Sequence, residues 1–191
     1  YASLNASDED LEGLAHHMAM TDQVLCSSAQ GIFVDTASRE ELDKFAQRFF
    51  EIFVRVNKTH KPVPFGMKSK NALQLYYEEL EARRSKKKIW KKDGISVITS
   101  DDSELELSMM FRSIWIKMLP KNKIIENLKP HKSHLQTVGL MVKEDEVSVL
   151  KDLLIKSGVT RITKGIDMSR IIVGESHDGM YPLRLYSRVV E

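Results

Sequence analysis

Residues 7–35 predict a helix, a loop and a strand in direct succession, and they read SDEDLEGLAHHMAMTDQVLCSSAQGIFVD. Ser7 followed by three acidic residues is a typical helix start, because a hydroxyl caps the first turn and carboxylates favour its positive end. A short apolar run at 31–34 is typical of a strand. The single cysteine, Cys26, therefore lies in the loop where the helix ends and the strand begins. The apolar residues that predict the buried face of the helix are Leu11, Leu14, Ala15, Met18 and Ala19.

Helical and strand patterns alternate over the rest of the chain. Ser38 opens a second capping box, and a helix over 145–156 ends before Gly158, which suits a left-handed residue. Residues 61–67 contain two prolines and a glycine, so they predict a loop and are the best candidate for a lobe boundary. A further helix is expected over about 69–88. The expected strands lie near 95–99, 114–119, 135–142, 161–163, 170–173 and 183–190.

This alternation predicts the α/β class, with a layered and partly parallel sheet flanked by helices. Asp178 and Gly179 predict a tight turn, so the chain would end in a C-terminal hairpin or strand. No repeat and no convincing linker divides the sequence, and we treat residues 1–191 as one domain.

The composition excludes several classes of protein. Hydrophobic residues make up 42% of the chain, enough for a sizeable core, and the net charge of +2 gives no overall field for nucleic acid or a membrane. A single cysteine excludes a disulfide framework and a multi-thiolate metal site, and it fits a reducing, cytoplasmic location. No apolar run is long enough to predict a membrane span.

Cys26 is the residue most suited to covalent chemistry. A thiol between a helix and a strand can face a cleft, where nearby backbone N–H groups can bind a developing oxyanion. The alternative is that a lone cysteine serves as a small buried hydrophobic residue.

The segment around Cys26 resembles the aldehyde dehydrogenase superfamily, which has an acid-rich "DADL"-like helix start followed by a "GQ-x-C" nucleophile segment. Here Asp22 stands at the glycine position, and two residues rather than one separate Gln23 from Cys26. The similarity is closer to the acyl-CoA reductases of bacterial luminescence operons. It extends over about 7–190 and includes the segments 135–139, 158–163 and 176–183.

This resemblance implies a function and a fold. The chain would be the thiol-bearing catalytic domain of an aldehyde dehydrogenase-like enzyme, with Cys26 accepting the acyl group from long-chain acyl-CoA or an acyl-protein donor. NADPH would then reduce the bound acyl group to the fatty aldehyde. The chain begins with Tyr1 rather than Met, and we expect the nucleotide-binding domain, the general base and the side-chain oxyanion donor upstream. The isolated chain would then be inactive as a reductase.

The resemblance also implies partners and one cofactor contact. Related chains form homo-oligomers through a hairpin and terminal strands, and they work with an acyl-protein synthetase and an acyl-transferase. Residues 126–130 have the spacing of the superfamily's "E-x-F-G-P" segment, which makes Glu126 the candidate contact to the nicotinamide ribose. A surface glutamate in a lysine-rich loop is the alternative.

The histidines do not predict a metal site, because no cysteine or acidic pattern accompanies them. His131 or His177 could assist proton transfer to the aldehyde oxygen, since imidazole titrates near neutrality. The alternative is that both are surface or turn residues.

Residues 83–92 hold seven basic residues and one tryptophan, and they allow a second function. A non-catalytic module could bind nucleic acid or another anionic partner through this run. We favour a solvated helix end, whose cations complement the helix dipole. A docking site for an acyl-donating partner or for the phosphates of coenzyme A is an intermediate possibility.

Overall fold

The computed structural model describes residues 1–170, 172–177, 179–181 and 184. Helices and strands alternate along these residues, which confirms the α/β class. The helices are α1 (Asp8–Thr21), α2 (Arg39–Asn57), α3 (Phe65–Ala82), α4 (Ile124–Leu128) and α5 (Glu144–Ser157). The strands are β1 (Gly31–Val34), β2 (Lys88–Lys92), β3 (Ile95–Ser100), β4 (Ser113–Met118), β5 (Thr137–Leu140) and β6 (Arg161–Lys164).

Four strands form a mixed sheet in the order β1-β4-β3-β2. β1, β4 and β3 are parallel, with Ile32 opposite Ile116 and Val97 opposite Ile114, whereas β2 is antiparallel to β3. β5 and β6 form a second, parallel sheet. The expected partly parallel sheet is therefore confirmed.

The backbone of residues 1–3 joins the two sheets. The N–H of Ala2 donates to the carbonyl oxygen of Phe33 in β1 at 2.8 Å. The backbone nitrogen of Tyr1 donates to the carbonyl oxygen of Gly139 in β5 at 2.8 Å. The two sheets thus continue across this segment as one layer.

Helices cover both faces of this layer. Side chains alternate between the faces along each strand. Ile32 and Ile116 pack in the cluster that includes α1 and α2, whereas Phe33 and Trp115 pack in the cluster that includes α4 and α5. Parallel strands are usually covered in this way, because both of their faces are apolar. The flanking helices expected from the sequence are therefore present.

Side chains cap the first two helices as expected, although the second cap differs in detail. The Ser7 hydroxyl accepts a hydrogen bond from the N–H of Asp10 at 3.1 Å. Ser38 likewise accepts from the N–H of Glu41 at 3.4 Å. The N–H of Ser38 donates to the hydroxyl of Thr36 at 2.9 Å instead of to Glu41, whose carboxylate also binds Thr36. Only half of the predicted capping box is formed.

The expected bounds of the third helix are wrong at both ends. The sequence predicts a loop over 61–67 and a helix over about 69–88. α3 instead begins at Phe65, directly after Pro64, and it ends at Ala82. Pro64 suits this position, because the residue before a helix needs no helical N–H donor and its fixed φ is compatible with the entry.

The residues after α3 form a β-hairpin, of which the sequence predicted only the second strand. β2 and β3 are joined by Asp93 with φ 53° and Gly94 with φ 83°. Two residues with positive φ give the turn whose twist matches paired strands. Pairing with β3 along the whole of β2 outweighs the helix propensity of the lysines in β2.

Among the described residues from 170 onwards, one turn agrees with the prediction from the sequence. The strand expected over 170–173 is absent among the residues described there, which lead into a turn at Gly174 with φ 87°. The next turn is as expected, because His177 and Met180 exchange two backbone hydrogen bonds of 2.8 and 3.0 Å. The terminal strand predicted over 183–190 lies outside the described residues apart from 184. None of the described helices combines the length and apolar content that crossing a bilayer requires.

Candidate active site

Cys26 lies at the tip of a turn in the loop between α1 and β1. The N–H of Ser28 donates to the carbonyl oxygen of Leu25 at 2.9 Å, which places Cys26 and Ser27 at the corner. The thiol is free and exposed, so the alternative of a buried cysteine is wrong. Within the described part of the chain, the N–H groups of Cys26 and Ser27 donate no hydrogen bond. Both are available to an oxygen that becomes negative beside the sulfur.

A buried glutamine fixes the base of this loop. The side-chain amide of Gln23 donates to the carbonyl oxygens of Ala29 and Ser113 at 2.9 and 3.0 Å. Its oxygen accepts from the N–H of Arg112 at 2.8 Å. One side chain therefore ties the start of the loop to its end and to β4, and the exposed thiol stands on a fixed base.

Two left-handed backbone segments meet at this point, and we call them the clasp. The clasp consists of Asp22 and Gln23 on one side and Met110, Phe111 and Arg112 on the other, with φ between 47° and 70°. The N–H of Phe111 donates to the carbonyl oxygen of Asp22 at 3.0 Å. Left-handed residues with a Cβ cost about 1–2 kcal/mol each, so the surrounding contacts must hold them. Such backbone strain often accompanies a functional site.

The Arg112 guanidinium supplies those contacts. Arg112 is 3% exposed, and its Nε lies 3.2 Å from a carboxylate oxygen of Asp22. It also donates to the carbonyl oxygens of Ala19 and Lys61 and to the side chain of Asn57. These partners belong to α1, to α2 and to the segment after α2. The loop of Cys26 is therefore coupled to both helices of one face.

Residues 101–109 form an irregular segment, the strap, that lies along β4. The ammonium group of Lys117 is 2% exposed and contacts the carboxylates of Asp102 and Glu106, the latter at 2.7 Å. The indole N–H of Trp115 donates to the carbonyl oxygen of Glu106 at 2.9 Å. Burial raises the pKa of Asp102, but hydrogen bonds from Lys117 and Ser100 outweigh it and lower the pKa overall. A buried cation on β4 thus fixes the strap.

A cavity of about 770 Å³ opens beside Cys26 and extends to the core. Its volume lies within the range of small-molecule sites. Cys26 and the exposed apolar residues Leu25 and Leu107 belong to its lining, as do the buried residues Leu128 and Leu154. The lining is mainly apolar, and the strap forms one wall.

Glycine at position 31 allows one wall of this cavity to close tightly. The ring of Trp115 lies directly against Gly31, because a Cβ built there would stand 2.1 Å from ring atoms. Trp115 in turn packs against Phe33 in a tilted arrangement, with the ring centroids 4.9 Å apart. The start of β1 is therefore packed against an aromatic pair that lines the cavity.

A chain of polar side chains leads from the loop into α1. The hydroxyls of Ser27 and Ser169 are 2.8 Å apart, and Ser169 lies 3.5 Å from Nε2 of His17. His17 is 1% exposed, and burial lowers its pKa. Its Nδ1 has no partner among the described residues. The residue next to Cys26 is thus connected to a buried neutral imidazole.

The other predicted site residues lie in different places. Glu126 is on α4, and its carboxylate accepts from Lys123 at 2.7 Å on the exposed surface, away from the cavity lining. Its cofactor role stays a prediction. His131 and His134 line the cavity, whereas His177 lies in the C-terminal turn. Among the described residues, no cluster of three or more histidine, cysteine or acidic side chains could hold a metal ion.

The basic run over 83–92 is a turn followed by β2, not the solvated helix end that we expected. Four of its seven cations form ion pairs within the chain, and no finding supports nucleic-acid binding. A role in binding the phosphates of coenzyme A stays a prediction. The pairs are Lys86 with Asp101, Lys87 with Glu78 and Glu81, Lys88 with Asp43, and Lys91 with Glu79.

Sequence reasoning missed Arg112 and Lys117, although each carries a signal. Both are charged residues inside the apolar stretch at 109–119. Lys117 and Trp115 are two residues apart, so they lie on the same face of the strand. A lysine on an apolar face is rarely buried unless an acidic side chain pairs with it. The acids of the strap directly precede this strand and were available as that partner.

Comparison with known proteins shows the family of this chain. A family model described as acyl-CoA reductase (LuxC) matches residues 2–189. Long-chain acyl-protein thioester reductase from Aliivibrio fischeri is 25% identical over 197 residues, which cover 98% of this chain and 39% of the relative. This chain thus spans about two fifths of that relative's length. Because the family model covers nearly all of its residues, the chain belongs to the acyl-CoA reductase (LuxC) family.

Proposed function

We propose that this chain is the acyl-accepting part of a reductase that converts long-chain fatty-acyl thioesters to fatty aldehydes, with Cys26 as the nucleophile. The observation that carries the proposal is an exposed, unpaired thiol on a fixed loop at the rim of a large apolar cavity. Membership of the family supports acyl reduction in general. The relative's name, acyl-protein thioester reductase, supports a thioester as the substrate.

The proposed covalent step is a thioester exchange. The thiolate of Cys26 attacks the carbonyl carbon of the donor thioester, and the carbonyl oxygen becomes negative in the tetrahedral intermediate. The N–H groups of Cys26 and Ser27 would bind this oxygen. When the intermediate collapses, the donor's carbon–sulfur bond breaks and the donor leaves as a thiol that has gained the proton lost by Cys26. The acyl group remains on Cys26 as a thioester, which is reactive enough for reduction.

The cavity supplies affinity for the acyl chain in this proposal. Each methylene group transferred from water to an apolar site contributes about 0.8 kcal/mol, or about a fourfold gain in affinity. The exposed apolar residues at the rim, Val24, Leu25 and Leu107, would contact the chain where it leaves the sulfur. We also propose an aldehyde dehydrogenase-like fold. The order of α1, the loop of Cys26 and β1 supports it, because the resemblance implies a helix, a nucleophile loop and a strand in that order.

The reduction step is not assigned to residues of this chain. The NADPH implied by the resemblance finds no matching site in the described part, because Glu126 lies away from the cavity and the sequence has no Gly-x-Gly-x-x-Gly segment. NADPH use, an upstream nucleotide-binding domain and the synthetase and transferase partners stay predictions.

Intact-protein mass spectrometry tests the proposal. The protein in its natural length is mixed with tetradecanoyl-coenzyme A, and we expect a mass increase of one acyl group that neutral hydroxylamine removes. Cys26→Ser should lose the hydroxylamine-labile adduct completely. Ser27→Ala is the matched control, because it changes the neighbouring side chain and leaves the sulfur and both N–H groups in place. An undiminished labile adduct in Cys26→Ser would show that another residue accepts the acyl group.

A further inference from the structure

A second cavity, of about 340 Å³, lies between α3 and the turn that joins β2 to β3. Its volume is at the lower end of the range for small-molecule sites. Leu75, Ile95 and Phe111 contribute buried and half-buried apolar surface to its lining, and three lysines belong to the lining as well. The described lining of the cavity beside Cys26 contains neither lysine nor arginine. The second cavity therefore suits a ligand that is apolar in one part and negatively charged in another.

The lysines of this cavity come from two elements. Lys68 belongs to α3, and Lys91 and Lys92 belong to β2. Lys91 contacts a glutamate of α3, whereas Lys68 and Lys92 form no ion pair within the described part of the chain. A Cβ built at Gly94 would lie 3.7 Å from Cε of Lys68, so this side chain reaches from the helix to the turn. Asp93 is the acidic residue of the lining, and the lysines outnumber it.

The side chain of Asn71 adds an acceptor that lacks a donor. Its amide nitrogen donates to the carbonyl oxygen of Met110 at 2.9 Å, which fixes the orientation of the amide. Its carbonyl oxygen is buried and has no hydrogen-bond partner among the described residues. A buried acceptor without a partner is unfavourable, and an N–H group of a ligand would satisfy it. Because Asn71 lines the cavity, an amino group of a bound base is a suitable donor.

The clasp lies between this cavity and the one beside Cys26. Met110 lines the Cys26 cavity, and the next residue, Phe111, lines the second cavity. The N–H of Phe111 donates to the carbonyl oxygen of Asp22, where the loop of Cys26 begins. The two cavities are therefore neighbours, and one extended ligand that passes the clasp would reach both.

We propose that the second cavity binds the phosphorylated adenosine of coenzyme A when an acyl-coenzyme A is the donor. This assignment rests on the thioester exchange proposed for Cys26, and it locates the nucleotide end of that donor. The phosphates accept charge-assisted hydrogen bonds from Lys68 and Lys92. The adenine ring packs against Phe111 and the other apolar residues of the lining, and its amino group donates to the carbonyl oxygen of Asn71. The pantetheine arm passes the clasp towards Cys26.

The combination of features selects a nucleotide over simpler ligands. Inorganic phosphate would bind the lysines but leave the apolar lining and the oxygen of Asn71 without a partner. A fatty-acyl chain would contact the apolar lining but offer nothing to the lysines or to Asn71. A nucleotide provides a ring, an amino group and phosphates in one molecule, and it therefore matches all three parts of the lining.

Calorimetric titration of the natural-length protein with adenosine 3′,5′-bisphosphate tests the site without acyl chemistry. This probe has the base and the ribose phosphate of coenzyme A but no thioester, so Cys26→Ser should bind it as tightly as the unaltered protein. Lys68→Glu and Lys92→Glu should each weaken binding at least tenfold, because each replaces a donor to phosphate by a repelling charge. Lys70→Glu is the matched control, since it makes the same charge change on α3 outside the cavity lining, and it should leave binding unchanged.

Ala72→Trp is a test that alters no charge. Ala72 is an exposed residue of α3 in the cavity lining, so a tryptophan there takes up space that the base needs. Binding of the bisphosphate should weaken at least tenfold, and the circular dichroism spectrum should stay that of the unaltered protein. Gln74→Trp, on the same helix but outside the lining, is the control and should bind normally.

The rate of acylation separates this assignment from the proposed function. With tetradecanoyl-coenzyme A below saturation, Lys92→Glu should slow the formation of the labile acyl adduct at least tenfold. With S-tetradecanoyl-N-acetylcysteamine, which has the same thioester but no nucleotide, Lys92→Glu and the unaltered protein should react equally fast. A protein that binds the bisphosphate but gains no adduct would support the nucleotide site and contradict the role of Cys26.

Four results would overturn the assignment. The first is a protein that does not bind adenosine 3′,5′-bisphosphate. The second is binding that survives Lys68→Glu, Lys92→Glu and Ala72→Trp, because the nucleotide would then lie elsewhere. The third is equal slowing of Lys92→Glu with both acyl donors. The fourth is at least tenfold tighter binding of adenosine 2′,5′-bisphosphate, which would assign the cavity to a phosphorylated dinucleotide such as NADPH.

Discussion

The loop that carries Cys26 and helix α3 are held in place in opposite ways. The loop has no regular hydrogen-bonding pattern, yet its base is fixed by the buried side chains of Gln23 and Arg112. α3 is a regular helix of 18 residues without one buried side chain. Regular secondary structure and firm attachment are therefore separate properties in this protein. The proposed nucleophile, Cys26, lies on the irregular segment, and buried polar contacts rather than helix geometry fix the position of that segment.

The difference follows from the cost of unsatisfied polar groups. A buried donor or acceptor that loses its partner costs about 1–3 kcal/mol, whereas an exposed one turns to water. Buried groups of this kind hold the loop of Cys26, so replacing one of their side chains should destabilise the protein. α3 is attached by exposed and half-exposed groups, so similar changes there should have little effect on folding.

The largest expected effect is at Arg112. Arg112→Met should lower the free energy of unfolding by about 4 kcal/mol, because the Asp22 carboxylate loses its cation and several buried oxygens lose their donor. Urea unfolding measures this change. Arg83→Met, at the end of α3, is the matched variant and should change it by less than about 0.5 kcal/mol. If Arg112→Met and Arg83→Met lowered the free energy of unfolding equally, the proposed difference between the Cys26 loop and α3 would be wrong.

A similar but smaller effect is expected at Gln23. Gln23→Leu keeps the approximate size of the side chain but leaves the N–H of Arg112 and the carbonyl oxygens of Ala29 and Ser113 without their partner. We expect a loss of about 3 kcal/mol in the free energy of unfolding. Gln74→Leu on exposed α3 is the comparison and should stay within about 0.5 kcal/mol. A tolerated Gln23→Leu would mean that the clasp does not depend on this side chain.

The smallest expected effect is a pH dependence at His17. Burial lowers the pKa of His17 below the usual value near 6.5. Between the two values the unfolded chain binds more protons than the folded chain, so the free energy of unfolding rises with pH in that window. It should therefore fall as the pH is lowered below about 6.5, and urea unfolding at several pH values measures it.

The matched variants for this prediction are His17→Gln and His134→Gln. The first should flatten the pH dependence, and the second should leave it unchanged because His134 is exposed. Part of the slope should persist in His17→Gln, since burial and the neighbouring His16 also lower the pKa of His60. An identical slope in both variants would contradict a buried neutral His17.

Local chemical signals predicted the elements around Cys26. Ser7 caps α1 by the contact that its sequence suggests, and Gly158 adopts the left-handed conformation after α5 with φ 100°. These features depend on residues within one helical turn of each other. The position of Cys26 at the junction of α1 and β1 was predicted for the same reason, because the periodicity changes there, whereas the sequence left open whether its thiol is exposed or buried.

The clasp and the hairpin were not predicted, for two different reasons. The hydrogen bond between Gln23 and Arg112 joins residues 89 positions apart, and no local pattern encodes such a contact. Asp93 and Gly94 are a typical two-residue sequence for a hairpin turn. The lysines before them, considered without their strand partners, favoured a helix. Pairing with β3 decided the outcome, and strand pairing is a property of the assembled sheet.

The close contact between Gly31 and Trp115 restricts how the family can vary. Any side chain at position 31 would occupy space held by the indole ring, which also lines the cavity and binds the strap. Replacement of this glycine in a homologue should therefore be accompanied by a smaller residue at the position of Trp115. The two positions are expected to co-evolve, and an enlarged pocket would be inherited with the change.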